Sequence, residues 1–167
     1  DAFEKLFDSG RRDITLTLLG APVERKGFHI IERCRKLREK GLDINFYTEF
    51  VPEDVLDKEI SAADIIINPN HVGLYGRGTF GAIMKAMQFA KPGIYPANSL
   101  FHEDLMSSSQ FFDNIEELPN MIENLLSNPE NLEKLSQDAI ANSEKFSLES
   151  VAEKFQENVL RCHLNGL

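Results

Sequence analysis

The sequence lacks any run approaching the roughly 20 consecutive apolar residues that span a bilayer. It also lacks a basic opening followed by an apolar stretch, so no signal peptide is expected. Cysteine is scarce: Cys34 and Cys162 are the only two, which excludes a disulfide scaffold. Cys34 falls on an apolar helix face and reads as a small core hydrophobe. Two cysteines in an acidic chain without a signal peptide suggest a reducing compartment. His29, His71, His102 and His163 show no metal-ligand spacing, and no Asp-x-Asp occurs, so no metal is expected. No Ser-His-Asp or Cys-His arrangement stands out, and there is no repeat, low-complexity tract or long linker. The chain opens on Asp1 rather than Met, which suggests a start inside a longer protein.

Positive charge is scarce in one part of the chain. Residues 1–97 carry 14 basic and 14 acidic side chains, whereas residues 98–167 carry 4 and 13, so the net charge of −9 resides in the latter. An acidic chain is a poor general ligand for nucleic acid, and no nucleic-acid partner is expected. A phosphorylated small ligand is compatible only with the neutral first part. Apolar residues make up 42% of the 167 and charged residues 27%, as in ordinary globular proteins. That length suits one domain over residues 1–167, large enough to bury roughly 70% of its unfolded surface.

Periodicity then gives the order of elements. Residues 1–8 read as a short helix with Phe3, Leu6 and Phe7 on one face, ended by Ser9-Gly10. Residues 13–19 alternate threonine with aliphatics and predict a strand. Residues 27–40 predict a helix with Ile30, Ile31, Cys34 and Leu37 on one stripe and basic residues opposite, stopped by Gly41. Strands are expected over 43–48, 64–67, 92–96 and 110–112, with helices over 53–61 and 79–90. Beyond Asp113 the pattern is helical only. Ile115, Leu118, Ile122 and Leu125 mark one helix, Asn128-Pro129 starts the next, and Ser147 caps the last. Alternating strands and helices predict a Rossmann-like, doubly wound parallel α/β sheet over 1–112, with helices on both faces and a helical tail over 113–167.

Ligands of such sheets bind outside the carboxyl ends of the strands. That directs attention to loops 20–26, 48–53, 68–79 and 97–103. The densest signal is Gly73-Leu-Tyr-Gly76-Arg-Gly78-Thr-Phe-Gly81, followed at once by a helix. Glycines admit close backbone approach. A helix start adds unpaired N–H groups and partial positive charge, which together suit a diphosphate. Residues 76–81 formally match the dinucleotide fingerprint, but that fingerprint follows its strand directly, and here about eight residues intervene. The helix 79–90 is apolar nearly all round and is expected to be largely buried. Lys85 then either snorkels to solvent or faces the ligand cleft. Arg25-Lys26 reads as a phosphate contact or a solvated helix start. The basic run 33–40, interleaved with Glu32 and Glu39, reads as a solvated face.

Several segments together resemble the C-terminal, nucleotide-sugar-binding lobe of GT-B glycosyltransferases, of the large retaining group that includes bacterial polysaccharide and lipopolysaccharide transferases. Leu18-Leu-Gly-Ala-Pro22 resembles that family's strand and G-x-P turn. Phe50-Val-Pro52, then Ala62-Ala-Asp64-Ile-Ile-Ile-Asn-Pro69, resemble x-V-P and A-D-I-x-x-x-P-S. Residues 78–94 resemble G-F-G-x-x-x-x-E-A-M-A-x-G-x-P-V-I, with Ala86-Met87 and Pro92 in place. Glu103 matches the glutamate of G-G-x-P-E, while Gln110–Asn114 and Asn128–Leu132 resemble the family's ending. The similarity covers about residues 13–150. The chain departs from the family at Arg77 and Lys85, where two glutamates are usual, and at Glu49, where a glycine is usual. The family's first strand and its N-terminal acceptor lobe would precede residue 1.

The resemblance implies a donor-binding domain for a nucleoside-diphosphate sugar, within an enzyme that transfers the sugar to a glycan or lipid-linked acceptor. Phe50 and Val51 would flank the base. Arg77, Gly78 and Thr79 would hold the diphosphate, Lys85 would add countercharge, and Glu103 would hold a sugar hydroxyl or cap its short segment. Catalytic residues are unknown and are expected partly in the N-terminal lobe, so this part alone would be inactive. No cofactor or metal is implied. The resemblance implies a cytoplasmic location, with a peripheral position at the inner face of the membrane, approached by the basic run 33–40, as the alternative. The final helix, 148–165, is expected to leave its apolar side partly uncovered or to self-associate. The alternative reading is a non-catalytic GT-B-like module serving binding or assembly.

Overall fold

In the computed structural model the described residues are 2–22, 25–69, 80–99 and 102–164. They form an α/β arrangement with parallel strands in two small sheets. The chain divides into two compact units, one of Asp1–Ala62 with Glu116–Ser127, the other of Ala63–Ile115 with Asn128–Leu167.

The first unit contains α1 (Ala2–Asp8), β1 (Thr15–Leu18), α2 (Arg25–Glu39), β2 (Asp43–Phe46), α3 (Glu53–Ala62) and α6 (Leu118–Ser127). β1 and β2 pair in parallel, with Thr15 opposite Asp43 and Leu18 opposite Phe46. Parallel neighbours need a crossover, and α2 supplies it. Cys34 and Leu37 of α2 pack with Leu42 and Ile44, and Phe7, Leu16, Leu18 and Phe46 close the cluster. Burial raises the Cys34 thiol above its ordinary pKa, which leaves it protonated and inert. Ile30, expected on the same stripe, is 52% exposed. At 100° per residue it sits at the margin of the buried arc, beyond the reach of β1 and β2.

Gly41 ends α2 as expected, at φ +96°. Its N–H donates to the Arg38 carbonyl (2.9 Å) and that of Leu42 to the Leu37 carbonyl (3.1 Å), a Schellman motif. α6 joins this unit through packing on α1 and through Arg11. The Arg11 guanidinium donates to both Glu123 carboxylate oxygens (3.0 and 2.9 Å) and to the Ser127 hydroxyl (2.7 Å). The helix expected from Ile115 begins instead with a 3-10 turn, Ile115–Glu117, and Ile115 is exposed while Leu118, Ile122 and Leu125 are buried.

The second unit contains β3 (Ile66–Ile67), α4 (Phe80–Gln88), β4 (Gly93–Pro96), α5 (His102–Leu105), β5 (Ser109–Phe112), α7 (Pro129–Lys145) and α8 (Leu148–Leu164). Its sheet runs β3-β4-β5, all parallel. β4 is buried along its whole length, as a central strand covered on both faces should be. Tyr95 packs with Ile83, Met87 and Leu105, and Phe111 and Phe146 lie against them. The Tyr95 ring also covers Gly93: a Cβ on that glycine would sit 2.1 Å from the ring. A side chain at 93 is thus excluded by its neighbour two residues on, which shares its face of the strand.

α7 starts as the sequence indicates, with the Asn128 side chain accepting from the Asn131 N–H (3.2 Å) and proline in the first turn. The Asn142 amide ties α7 to the α5–β5 link, donating to the Asp104 carbonyl (3.2 Å) and the Ser108 hydroxyl (2.9 Å). α4 corrects an expectation. Ile83, Ala86 and Met87 are buried, but Ala82 is exposed and Met84 is 40% exposed. The helix packs with β4 and α7 on one side, and no other described residue covers the opposite side, so an all-round apolar sequence ends half buried. On α8 the Ser147 hydroxyl accepts from the Ser150 N–H (3.2 Å) as the capping pattern requires. Its apolar stripe, Leu148, Val151, Phe155 and Val159, is exposed, so the expected uncovered side is found among the described residues.

Candidate functional site

In the second unit the carboxyl ends of three parallel strands place polar groups together. β3 runs into Asn68, which is buried and whose N–H donates to the Ile94 carbonyl (3.1 Å). β4 runs into Ala97, whose N–H donates to the Phe112 carbonyl (2.9 Å), and then into Asn98 and Ser99. The Ser99 N–H turns back onto the Pro96 carbonyl (3.0 Å). β5 runs into Asp113, which is exposed.

Pro96, Ala97, Asn98, Phe112 and Asp113 line an open hollow of about 160 Å³. Pockets that enclose drug-sized molecules run to roughly 300–1,000 Å³, so this one suits a fragment such as a single sugar ring. Among the described residues its lining offers a carboxamide and a carboxylate, groups that hydrogen-bond hydroxyls. In the same turn the Ser99 hydroxyl oxygen is buried, with no hydrogen-bond partner among the described residues. An unmet buried hydroxyl costs on the order of 1–3 kcal/mol.

The residues singled out in the sequence divide between the two units. Phe50 and Val51 belong to the first, in the loop between β2 and α3. Phe50 is 86% exposed, an aromatic face open to stacking, while the Val51 side chain is in the core and leaves only its backbone for a ligand. Arg77, Gly78 and Thr79 lie outside the described residues, with the rest of the glycine loop up to residue 79. Lys85 is half-buried on α4, its ammonium 5.8 Å from the Phe89 ring centroid. Glu103 is exposed in the first turn of α5, beside Asp104, whose carboxylate meets the Lys145 ammonium at 3.6 Å. Sequence reasoning named the loop 97–103 but only Glu103 within it. Asn98 and Ser99 went unmarked, although a polar pair directly after a buried strand was the available signal.

The first unit has a hollow of its own at the amino ends of β1 and β2, lined by Phe3, Phe7, Arg11, Arg12 and Asp43 among others. Its volume, about 40 Å³, suits a water or two rather than a substrate. Arg12 stacks on the Phe7 ring there, 3.5 Å from its centroid. Among the described residues, no cluster of three or more His, Cys, Asp or Glu could hold a metal, and no helix is long and apolar enough to cross a membrane. No protein-family model matches the chain, and no curated protein sequence matches it.

Proposed function

We propose that the chain is a donor-binding domain of a GT-B-type glycosyltransferase, with a nucleoside-diphosphate sugar as its ligand. The observation that carries this reading is the hollow at the β4 and β5 carboxyl ends, with Asn98 and Asp113 in its lining. Parallel α/β sheets bind ligands at that end, and the polar groups present are those that bond sugar hydroxyls. The ordered resemblance of residues 13–150 supplies the nucleotide side of the proposal. Thr79 and Gly78 would offer backbone N–H groups to the diphosphate, with Arg77 and Lys85 as countercharge. In transfer, such donors stabilise the departing diphosphate, each supplying roughly 3–4 kcal/mol of barrier lowering in comparable sites. The acceptor and the catalytic groups would come from a second lobe.

Titration of the isotopically labelled chain with uridine and guanosine diphosphates and their hexose conjugates tests this. Amide shifts at 48–53 and 76–85 are expected with the diphosphates, and additional shifts at Asn98, Ser99 and Asp113 only with the sugar conjugates. Absence of any shift at millimolar ligand would defeat the donor-binding reading. It would favour a non-catalytic module of the same architecture, a reading to which Arg77 and Lys85 in place of the usual glutamates already lends weight.

A further inference from the structure

α8 is 17 residues long, about 25 Å at 1.5 Å per residue. Its first turn is tied to the end of α7. The Ser147 hydroxyl caps Ser150, whose own hydroxyl donates to the Glu144 carbonyl (2.8 Å). Past that turn, every residue from Val151 to Leu160 is exposed. A helix of this length that packs on nothing is marginal in water. Its sequence is nevertheless built for packing. Leu148, Val151, Phe155 and Val159 fall within an arc of about 80°. Leu148 is 86% exposed, Phe155 69%, and each valine 49%.

The spacing of this stripe is symmetric about Phe155. Val151 and Val159 lie four positions to either side, and Ala152 and Asn158, which border the stripe, lie three. Charge stays away from it: Glu149, Glu153, Lys154 and Glu157 all lie about 100° or more from Phe155 around the helix. The face can therefore close without burying an ion, which is costly unless the ion is paired. A surface that reads the same in both directions is complementary to itself about a twofold axis. From this arrangement we propose that α8 pairs in antiparallel fashion with α8 of a second copy of the chain, independently of any sugar-nucleotide site. The two Phe155 rings meet at the axis, and Val151 lies opposite the partner's Val159. Two faces, each about 25 Å by 10 Å, remove on the order of 1,000 Å² of accessible surface, the lower bound for a specific interface. The direction follows from charge. Residues 98–167 hold 13 acidic and 4 basic side chains, and the body of that acidic unit is attached where α8 starts. A parallel pair would crowd two acidic bodies at one end, whereas an antiparallel pair holds them at opposite ends.

Sedimentation equilibrium of the whole chain tests the proposal. A monomer–dimer equilibrium is expected, with a dissociation constant on the order of 10 μM for so small an interface. Raising the salt from about 0.1 M to about 0.5 M should tighten it, because two chains of like net charge repel. Phe155→Gln keeps the helix propensity and should weaken the dimer on the order of 100-fold, since each dimer loses two rings. Leu160→Gln removes an equally exposed side chain about 140° from Phe155 and should leave the dimer unchanged. In a Cys162→Ser background, Phe155→Cys should give a disulfide-linked dimer on mild oxidation. Leu148→Cys should not, because its two copies lie about 21 Å apart in an antiparallel pair. Circular dichroism checks that each variant is folded, and none of these readouts depends on nucleotide binding. A monomer at every concentration, a dimer that survives Phe155→Gln, or equal cross-linking at positions 148 and 155 overturns the proposal.

Discussion

Ala90, at the end of α4, allows a backbone strain to be measured directly. It adopts φ +51° and is the only non-glycine residue with positive φ among those described. Its N–H donates to the Met87 carbonyl (3.1 Å), and that of Lys91 to the Ala86 carbonyl (2.8 Å). This is the same pair of bonds that ends α2, where Gly41 occupies the left-handed position. An L-residue there sets its Cβ against the following carbonyl oxygen, at roughly 1–2 kcal/mol. Ala90→Gly removes that strain and returns about 0.4–1 kcal/mol of conformational freedom to the unfolded chain. The net gain should be about 0.5–1 kcal/mol. For a chain of 167 residues this raises Tm by about 1–4 °C. Hydrogen exchange at the Lys91 amide should slow, which localises the gain to the helix end. Gly41→Ala is the converse test. A Cβ at 41 would meet only the Phe7 Cζ at 3.9 Å, an ordinary contact, so its loss of roughly 1 kcal/mol reports the backbone alone. An Ala90→Gly variant that melts at or below the parent, with an unchanged Lys91 exchange rate, would refute the reasoning.

Gly93→Ala should be far more damaging than Gly41→Ala, because its Cβ would lie inside the Tyr95 ring on a strand buried on both faces. The loss should reach about 1–3 kcal/mol or more by chemical denaturation, and Tyr95→Leu in the same chain should recover part of it. Glu123 gives a pH test. The Arg11 guanidinium holds its carboxyl below the ordinary glutamate range, so the folded state favours the charged form. The stabilisation is present above the ordinary glutamate pKa and disappears as the pH falls through the lowered folded value. Glu123→Gln should therefore flatten the acid limb of the stability curve below about pH 5, read as urea midpoint against pH. Parallel curves for parent and variant would show that the Arg11 contact does not favour ionisation.

Much of the local architecture was legible before any coordinates. The threonine–aliphatic alternation marked β1, the apolar run at 64–67 contained β3, and Asn128-Pro129 and Ser147 marked helix starts that the structure keeps. Gly10 and Gly41 were identified as helix stops, and both adopt positive φ. Ala90 was not, since alanine carries no signal for a left-handed turn and only the closing hydrogen bonds impose it. The candidate site was legible as a set of loops but not as a set of groups. Asn98 and Ser99 are ordinary turn residues until the pairing of β4 with β5 buries one of them and brings Asp113 near the other.

The division has a physical cause. Caps, turn glycines and hydrophobic periodicity act within about a turn of helix or a few strand residues, so the sequence alone determines where elements start, stop and carry apolar faces. Whether a face is covered depends on residues distant along the chain. The Arg11–Glu123 contact spans 112 positions, the Asn142–Ser108 contact spans 34, and no local pattern encodes either. For the same reason α4, apolar nearly all round, is covered on one side among the described residues. α8 carries a regular apolar stripe that its own unit leaves exposed, and the tertiary structure alone decided that outcome.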